Sequence, residues 1–191
     1  MFMTFSSYIF SLALADLLVI VTTVPLVSVI YVTNSWPWGE LLCKGSEFVK
    51  DVSTGVSVFT LTALSGDRFV AIVDPLRKFH ANGGGKRAKR MTIATAILIW
   101  VLAMIFGAPA LHTSFIKTIV INQDQSMHFC YPFPEDWGKV YAQSMVLGRF
   151  LVYYAIPLLI IAIFYTLIAK HLIVSHVPGE KQGAIRQVNF F

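Results

Sequence analysis

Six ionisable side chains sit inside or at the edge of long apolar stretches, and they are the first candidates for chemistry. Asp16 lies within Ser11-Leu12-Ala13-Leu14-Ala15-Asp16-Leu17-Leu18; Lys50, Asp51, Asp67 and Arg68 share a second stretch, and Arg149 opens another. An ionised group at the centre of a membrane helix costs about 2.5–3.5 kcal/mol, so each should face a polar interior or a partner. Two readings fit Asp16: a cation or proton site between helices, or a buried polar contact that locks two helices together. Lys50 follows Cys43 by seven residues, two helical turns, which puts both on one face and aims Lys50 into an outer vestibule. The alternative is a local i, i+3 pair with Glu47. Asp51 is rotated by about 100° from Lys50 and is not placed to neutralise it. Arg149 either lines a pocket or extends its stem to the headgroups. Asp67-Arg68-Phe69, taken as an isolated tripeptide, reads as an ion pair flanking a span.

Other chemistries find no support. Gly83-Gly84-Gly85-Lys86 is no phosphate loop, because no buried strand precedes it and no Ser or Thr follows the lysine. His171 and His176 lack metal spacing, and no nucleophile–base–acid set can be assembled. The chain is therefore read as a non-enzyme. Its basic cluster after residue 85 suits membrane topology and anionic lipid better than nucleic acid.

The elements that must position these residues follow from composition. Of 191 residues, 56% are hydrophobic and only 13% charged, and the mean hydropathy is +0.68. Soluble domains carry about 25% charge, so disorder and a conventional soluble enzyme are both excluded. Apolar runs predict four membrane helices, at about residues 5–32, 43–72, 91–111 and 142–172. Short alternating strands of a membrane barrel are absent from the sequence. Arg77, Lys78, Lys86, Arg87, Lys89 and Arg90 fall in the connection 73–90 against one acid, Asp74, which makes that loop cytoplasmic. Connections 33–42 and 112–141 then face outward, and the tail 173–191 returns to the cytoplasm. Both cysteines, Cys43 and Cys130, land on the outer, oxidising side, where one disulfide can form. Trp36-Pro37-Trp38-Gly39 is a tight aromatic turn. β-Prone runs at 113–121 and 126–131 flank the turn-like 122–125 and predict a hairpin. The fold class is an all-α, multi-pass membrane bundle with a β-hairpin in its second outer loop.

In the setting Leu64-Ser65-Gly66-Asp67-Arg68-Phe69-Val70-Ala71-Ile72-Val73-Asp74-Pro75-Leu76, the chain resembles the rhodopsin-like G-protein-coupled receptors. That family carries an Asp-Arg-Tyr-type motif there, with a proline and a bulky apolar residue following. Arg68 also stands 25 residues after Cys43, an interval the family keeps. Further matches are Asp16 in its Leu-Ala-x-x-Asp setting, the Trp36 turn, Trp100, and Pro157 with Tyr165. The resemblance covers nearly the whole chain as the family's second to fifth helices. Phe69 departs from the usual tyrosine, and no stretch corresponds to the first, sixth or seventh helix. The run from Cys43-Lys44 to Leu64-Ser65 is similar to the bombesin receptor group and, with Val177-Pro178-Gly179-Glu180, more so to the CCHamide neuropeptide receptors.

The resemblance implies a plasma-membrane receptor with a peptide ligand outside and a heterotrimeric G protein inside. It implies a Cys43–Cys130 disulfide and a ligand pocket with Lys50, Asp51 and Arg149. Amine receptors of the family carry an aspartate at the Lys50 position; a lysine there favours a carboxylate, a carbonyl or a peptide terminus. G-protein coupling falls to Asp67, Arg68, Phe69, Pro75 and Leu76. A sodium ion at Asp16 with Ser57 is the one cofactor implied, although part of that site belongs to a seventh helix. Two rivals stand beside this reading: a truncated, non-signalling receptor form, and a four-span scaffold or small transporter. Expressed alone, the 191 residues are not expected to couple a peptide to a G protein.

Overall fold

In the computed structural model, four helices are long and apolar enough to cross a membrane: Ser7–Thr33, Gly39–Val73, Arg90–Thr113 and Gly138–Ile173. The structure describes residues 2–33, 35–73, 85–122, 125–134 and 137–188, with side chains from residue 7 onward except 85–89, 121–125 and 174–188. The elements are α1 (Phe2–Thr33), α2 (Gly39–Val73), α3 (Gly85–Gly107), α4 (Pro109–Thr113), β1 (Phe115–Asn122), β2 (Gln125–Tyr131), α5 (Gly138–Phe150), a π-helical turn (Leu151–Ala155) and α6 (Ile156–Val188).

Several boundaries differ from expectation for local reasons. Helix α2 starts one turn early, at Gly39, whose φ of +75° suits glycine and ends the aromatic turn. Glu40 then occupies the first turn, where the helix dipole favours an acid, and pairs with Lys44 at 2.6 Å. Helix α3 starts at Gly85, inside the stretch expected to be loop, because Lys86-Arg87-Ala88-Lys89-Arg90 are strong helix formers. Pro109 separates α3 from α4 by occupying a first-turn position, where its missing N–H costs nothing. Helix α6 runs on to Val188 through residues expected as tail. The π turn was not expected at all. In it Ile156 N–H donates to the Leu151 carbonyl, five residues back, just before Pro157, which has no N–H to offer.

Helix α2 is the hub, packing against α1, α3, α4, α6 and the hairpin. The core gathers where α1, α2 and α3 meet: Tyr8 and Ala15, Val52 and Val56, and Ile99 and Ala103, with Trp100 and Phe59 packed around them. Small residues set the approach. A Cβ on Gly55 would stand 3.1 Å from Ala103 Cβ, and one on Gly107 would meet Val52 Cγ2 at 3.0 Å. Without a hydrophobic drive between helices in lipid, such close contact is what holds a bundle together. Ser53 Oγ adds a buried hydrogen bond to the Ala15 carbonyl at 2.9 Å. Leu17, Ile20, Val21, Ile97, Leu158 and Leu159 are exposed on the outside, as an apolar belt for lipid would be.

The outer loops form one assembly. Strands β1 and β2 are antiparallel, in the register Phe115↔Tyr131 and Ile116↔Cys130, with an irregularity between Val120 and Asn122. The centre of the expected turn, 123–124, lies outside the described residues. Cys43 and Cys130 are disulfide-bonded with Cα atoms 5.5 Å apart, fixing the hairpin to the outer end of α2. Trp36 is buried and closes its own turn by donating from Nε1 to the Gly39 carbonyl at 2.8 Å. Its backbone N–H donates to the His128 carbonyl at 2.8 Å. His128 N–H in turn donates to Ser35 Oγ at 3.1 Å, so the two outer loops are stitched together.

Candidate functional site

Asp51, Gly55 and Phe59 are spaced four residues apart and therefore share one face of α2. Glycine in the middle leaves room on that face, and Tyr153 from the π turn fills it. Its Cε1 would lie 3.2 Å from a Cβ on Gly55, and its ring stands 6.2 Å from that of Phe59. One turn above Tyr153, Arg149 reaches across from α5 to Asp51, with Nη2 2.7 Å from Oδ2. Phe133, from the segment after β2, covers the guanidinium at 5.6 Å from its ring centroid. A buried carboxylate, a guanidinium and a phenol thus converge below the outer loops, with Asp51 only 7% exposed.

The Asp51–Arg149 contact is ionic rather than a formed hydrogen bond. Asp51 Oδ2, Arg149 Nη2 and Tyr153 Oη are all buried, and none has a hydrogen-bond partner among the described residues. Buried polar groups ordinarily find partners; Asp51 and Arg149 have each other as an ion pair, and of the three Tyr153 Oη is left without one among the described residues.

Of the two courses open to Lys50, an outer vestibule and a local pair with Glu47, the structure shows the pair. It is exposed and held by both carboxylate oxygens of Glu47 at 2.7 Å, the local pairing that its i, i+3 spacing allowed. Asp51 is buried, and its rotation from Lys50 turns it toward Arg149. Arg149 takes the inward course of its two options. Tyr153 and Phe133 had not been singled out; an aromatic in a membrane span looks the same in sequence whether it faces lipid or a charge.

At the other end of α2, Asp67 and Phe69 are half-buried while Arg68 reaches the exposed edge. Phe69 stacks on Phe164 of α6 with centroids 5.4 Å apart, and Gly66 gives the Phe164 ring room to approach. Tyr8, also unforeseen, is buried with its hydroxyl on Asp67 and Thr95, joining α1, α2 and α3. Pro75 and Leu76 lie outside the described residues. Trp100 packs against the core and Pro157 is buried beside the π turn, whereas Tyr165 is 55% exposed.

Asp16 is exposed and Ser57 half-buried. Two oxygens on neighbouring helices do not by themselves make a cation site. Among the described residues no three His, Cys, Asp or Glu converge.

The family model described as 7 transmembrane receptor (rhodopsin family) matches residues 3–189. The neuropeptide CCHamide-1 receptor of Drosophila melanogaster is 66% identical over 184 residues, covering 96% of this chain and 37% of that receptor. Bombesin receptor subtype-3 of Ovis aries is 38% identical over 184 residues, covering 94% of this chain and 44% of that protein. The chain therefore spans less than half the length of these relatives.

Proposed function

Since the chain belongs to the rhodopsin family of seven-transmembrane receptors, we propose that it forms the helix-two-to-five part of a receptor that passes the binding of an extracellular neuropeptide to a heterotrimeric G protein. As a member of that family it is a multi-pass plasma-membrane protein and not an enzyme. The proposed ligand is a peptide of the CCHamide type. The observation that carries this choice is the 66% identity to the CCHamide-1 receptor, against 38% to the bombesin receptor.

The geometry supplies a route between the two ends. Helix α2 meets the α5–α6 helix along its length, through Asp51–Arg149 outside, Tyr153 against Gly55 and Phe59 in the middle, and Phe69–Phe164 inside. Seventeen residues of α2 separate Asp51 from Arg68, roughly 26 Å of helix. A peptide group that enters at Arg149 competes for its contact with Asp51 and changes how α6 leans on α2. A rigid helix carries that change to Phe164, beside the Asp67-Arg68-Phe69 segment that would meet the G protein. Such a ligand acts only through its different affinity for the two arrangements.

Peptide displacement on cells displaying the complete receptor tests this reading. CCHamide-1 peptide should compete at lower concentration than bombesin. Binding of neither peptide, with the receptor at the surface, would overturn it.

A further inference from the structure

Resting on that reading, we propose that Tyr8 is a positioning residue for Arg68: by holding Asp67 from the side of α1 and α3, it fixes the direction in which Arg68 leaves the inner end of α2. Residues 67, 68 and 69 advance by about 100° each around that helix, so Asp67 and Phe69 point to nearly opposite sides with Arg68 between them. Both sides are gripped. The Tyr8 hydroxyl meets Asp67 on one, and Phe164 of α6 stacks on Phe69 at 5.4 Å on the other. Arg68 is thereby left at the exposed edge, the direction from which a cytoplasmic partner can reach it.

The hydroxyl carries this role, not the ring. Tyr8 is 3% exposed, and a phenylalanine would fill the same space without burying a polar group. Tyr8, Ser11 and Ala15 line one buried face of α1, and higher on that face Ser53 of α2 bonds to the Ala15 carbonyl. Helical side chains lean toward their own N-terminus, here the inner end, so the Tyr8 ring reaches down to Asp67. An ionised carboxylate only accepts, which commits the single Tyr8 hydrogen to Asp67 and leaves the phenol oxygen to accept from Thr95. The Thr95 hydroxyl has a second acceptor in the Met91 carbonyl at 3.0 Å and can turn between the two. Hydrogen bonds to a charged group are the stronger kind. With Asp67 held, a shift of α6 becomes a movement past the end of α2. Without that hold, the end of α2 follows Phe164 and Arg68 turns with it.

Tyr8→Phe removes the hydroxyl and keeps the ring. On membranes carrying the complete receptor and its G protein, with receptors counted at the surface and CCHamide-1 peptide saturating, it should cut maximal nucleotide exchange about threefold or more. Peptide affinity, measured without G protein, should stay within about twofold, because the outer end of α2 is remote and shares no partner with Tyr8.

The direction of residue 68 is read separately. Arg68→Cys receptor is labelled from the inner side with a water-soluble thiol reagent, and receptor without that substitution gives the background. Labelling should slow about threefold or more when Tyr8→Phe is added. Asp67→Ala should slow it likewise, and the two together no further than either one, since both remove the same contact. A packing role alone predicts labelling at the parental rate in Tyr8→Phe, or losses that multiply when the two are combined. Either result would overturn the proposal, as would undiminished exchange in Tyr8→Phe. If Asp67→Ala fails to reach the surface, labelling of Tyr8→Phe decides by itself. A parent receptor whose exchange stays flat with peptide would overturn the receptor reading instead, and labelling would still decide whether Tyr8 directs residue 68.

Discussion

Breaking the Cys43–Cys130 bond is the perturbation whose size follows most directly from the structure. The cysteines are 87 residues apart in sequence. A free chain of that length loses about 4.6 kcal/mol of closure entropy when cross-linked. The unfolded state here is not a free chain, because α2 and α3 stay inserted as helices and return the chain to the outer side. The segment left free to wander then runs from the end of α4 to Cys130, and a loop of that size is worth about 3 kcal/mol. Cys43→Ser and Cys130→Ser should each destabilise by about 3–4.6 kcal/mol, roughly 100-fold or more in the folding equilibrium. The double variant should be no worse than either single one, since all three lose one bond. The hairpin should not detach fully, because the Trp36 backbone and the Ser35 hydroxyl still hold His128 by two hydrogen bonds worth about 1 kcal/mol each. Detergent titration in mixed micelles, followed by tryptophan fluorescence, measures the difference. Variants within 1 kcal/mol of the parent would refute the loop-closure reasoning, as would two free thiols in the mature protein.

Three further outcomes follow from packing. Gly55→Val should destabilise by about 1–3 kcal/mol, because its branches meet the Ala103 backbone and the Tyr153 ring; unchanged micelle stability would show that α2 and α3 can separate freely. Lys50→Glu should cost below about 1 kcal/mol and change peptide affinity less than Arg149→Gln does, since Lys50 is exposed and paired with Glu47; a larger affinity loss for Lys50→Glu would return it to the pocket. Trp36→Phe loses the 2.8 Å bond to Gly39 and should raise amide exchange at His128, which hydrogen-exchange mass spectrometry would detect; unaltered exchange would mean the loops are not stitched through that turn.

The four spans, their order and the outer hairpin were legible because each rests on a strong local signal: run length, charge asymmetry and β-branched alternation. The disulfide was legible as well, because the two cysteines allow one pairing and charge asymmetry puts both on the outer side. Side-chain destinations were harder. Lys50 and Asp51 are adjacent, and seven-residue spacing from Cys43 favoured Lys50, yet the short Asp51 turned inward to Arg149 while the long lysine folded back to Glu47. Periodicity fixes where a Cβ points, and flexible side chains then choose among nearby charges. The π turn left a single trace, Pro157, which also sits in ordinary helices at their first turn. Tyr153 and Tyr8 carried no sequence signal, because their roles depend on which helix packs opposite them.

Peptide-stimulated guanine-nucleotide exchange, on membranes carrying the complete receptor and its G protein, tests the central claim most directly. The account expects exchange to rise with CCHamide-1 peptide on the parent receptor. Arg68→Ala should abolish that rise while peptide binding persists, because Arg68 lies at the far end of α2 from the Asp51–Arg149 site. Exchange that survives Arg68→Ala undiminished, or that stays flat on a parent receptor with peptide bound, would contradict it.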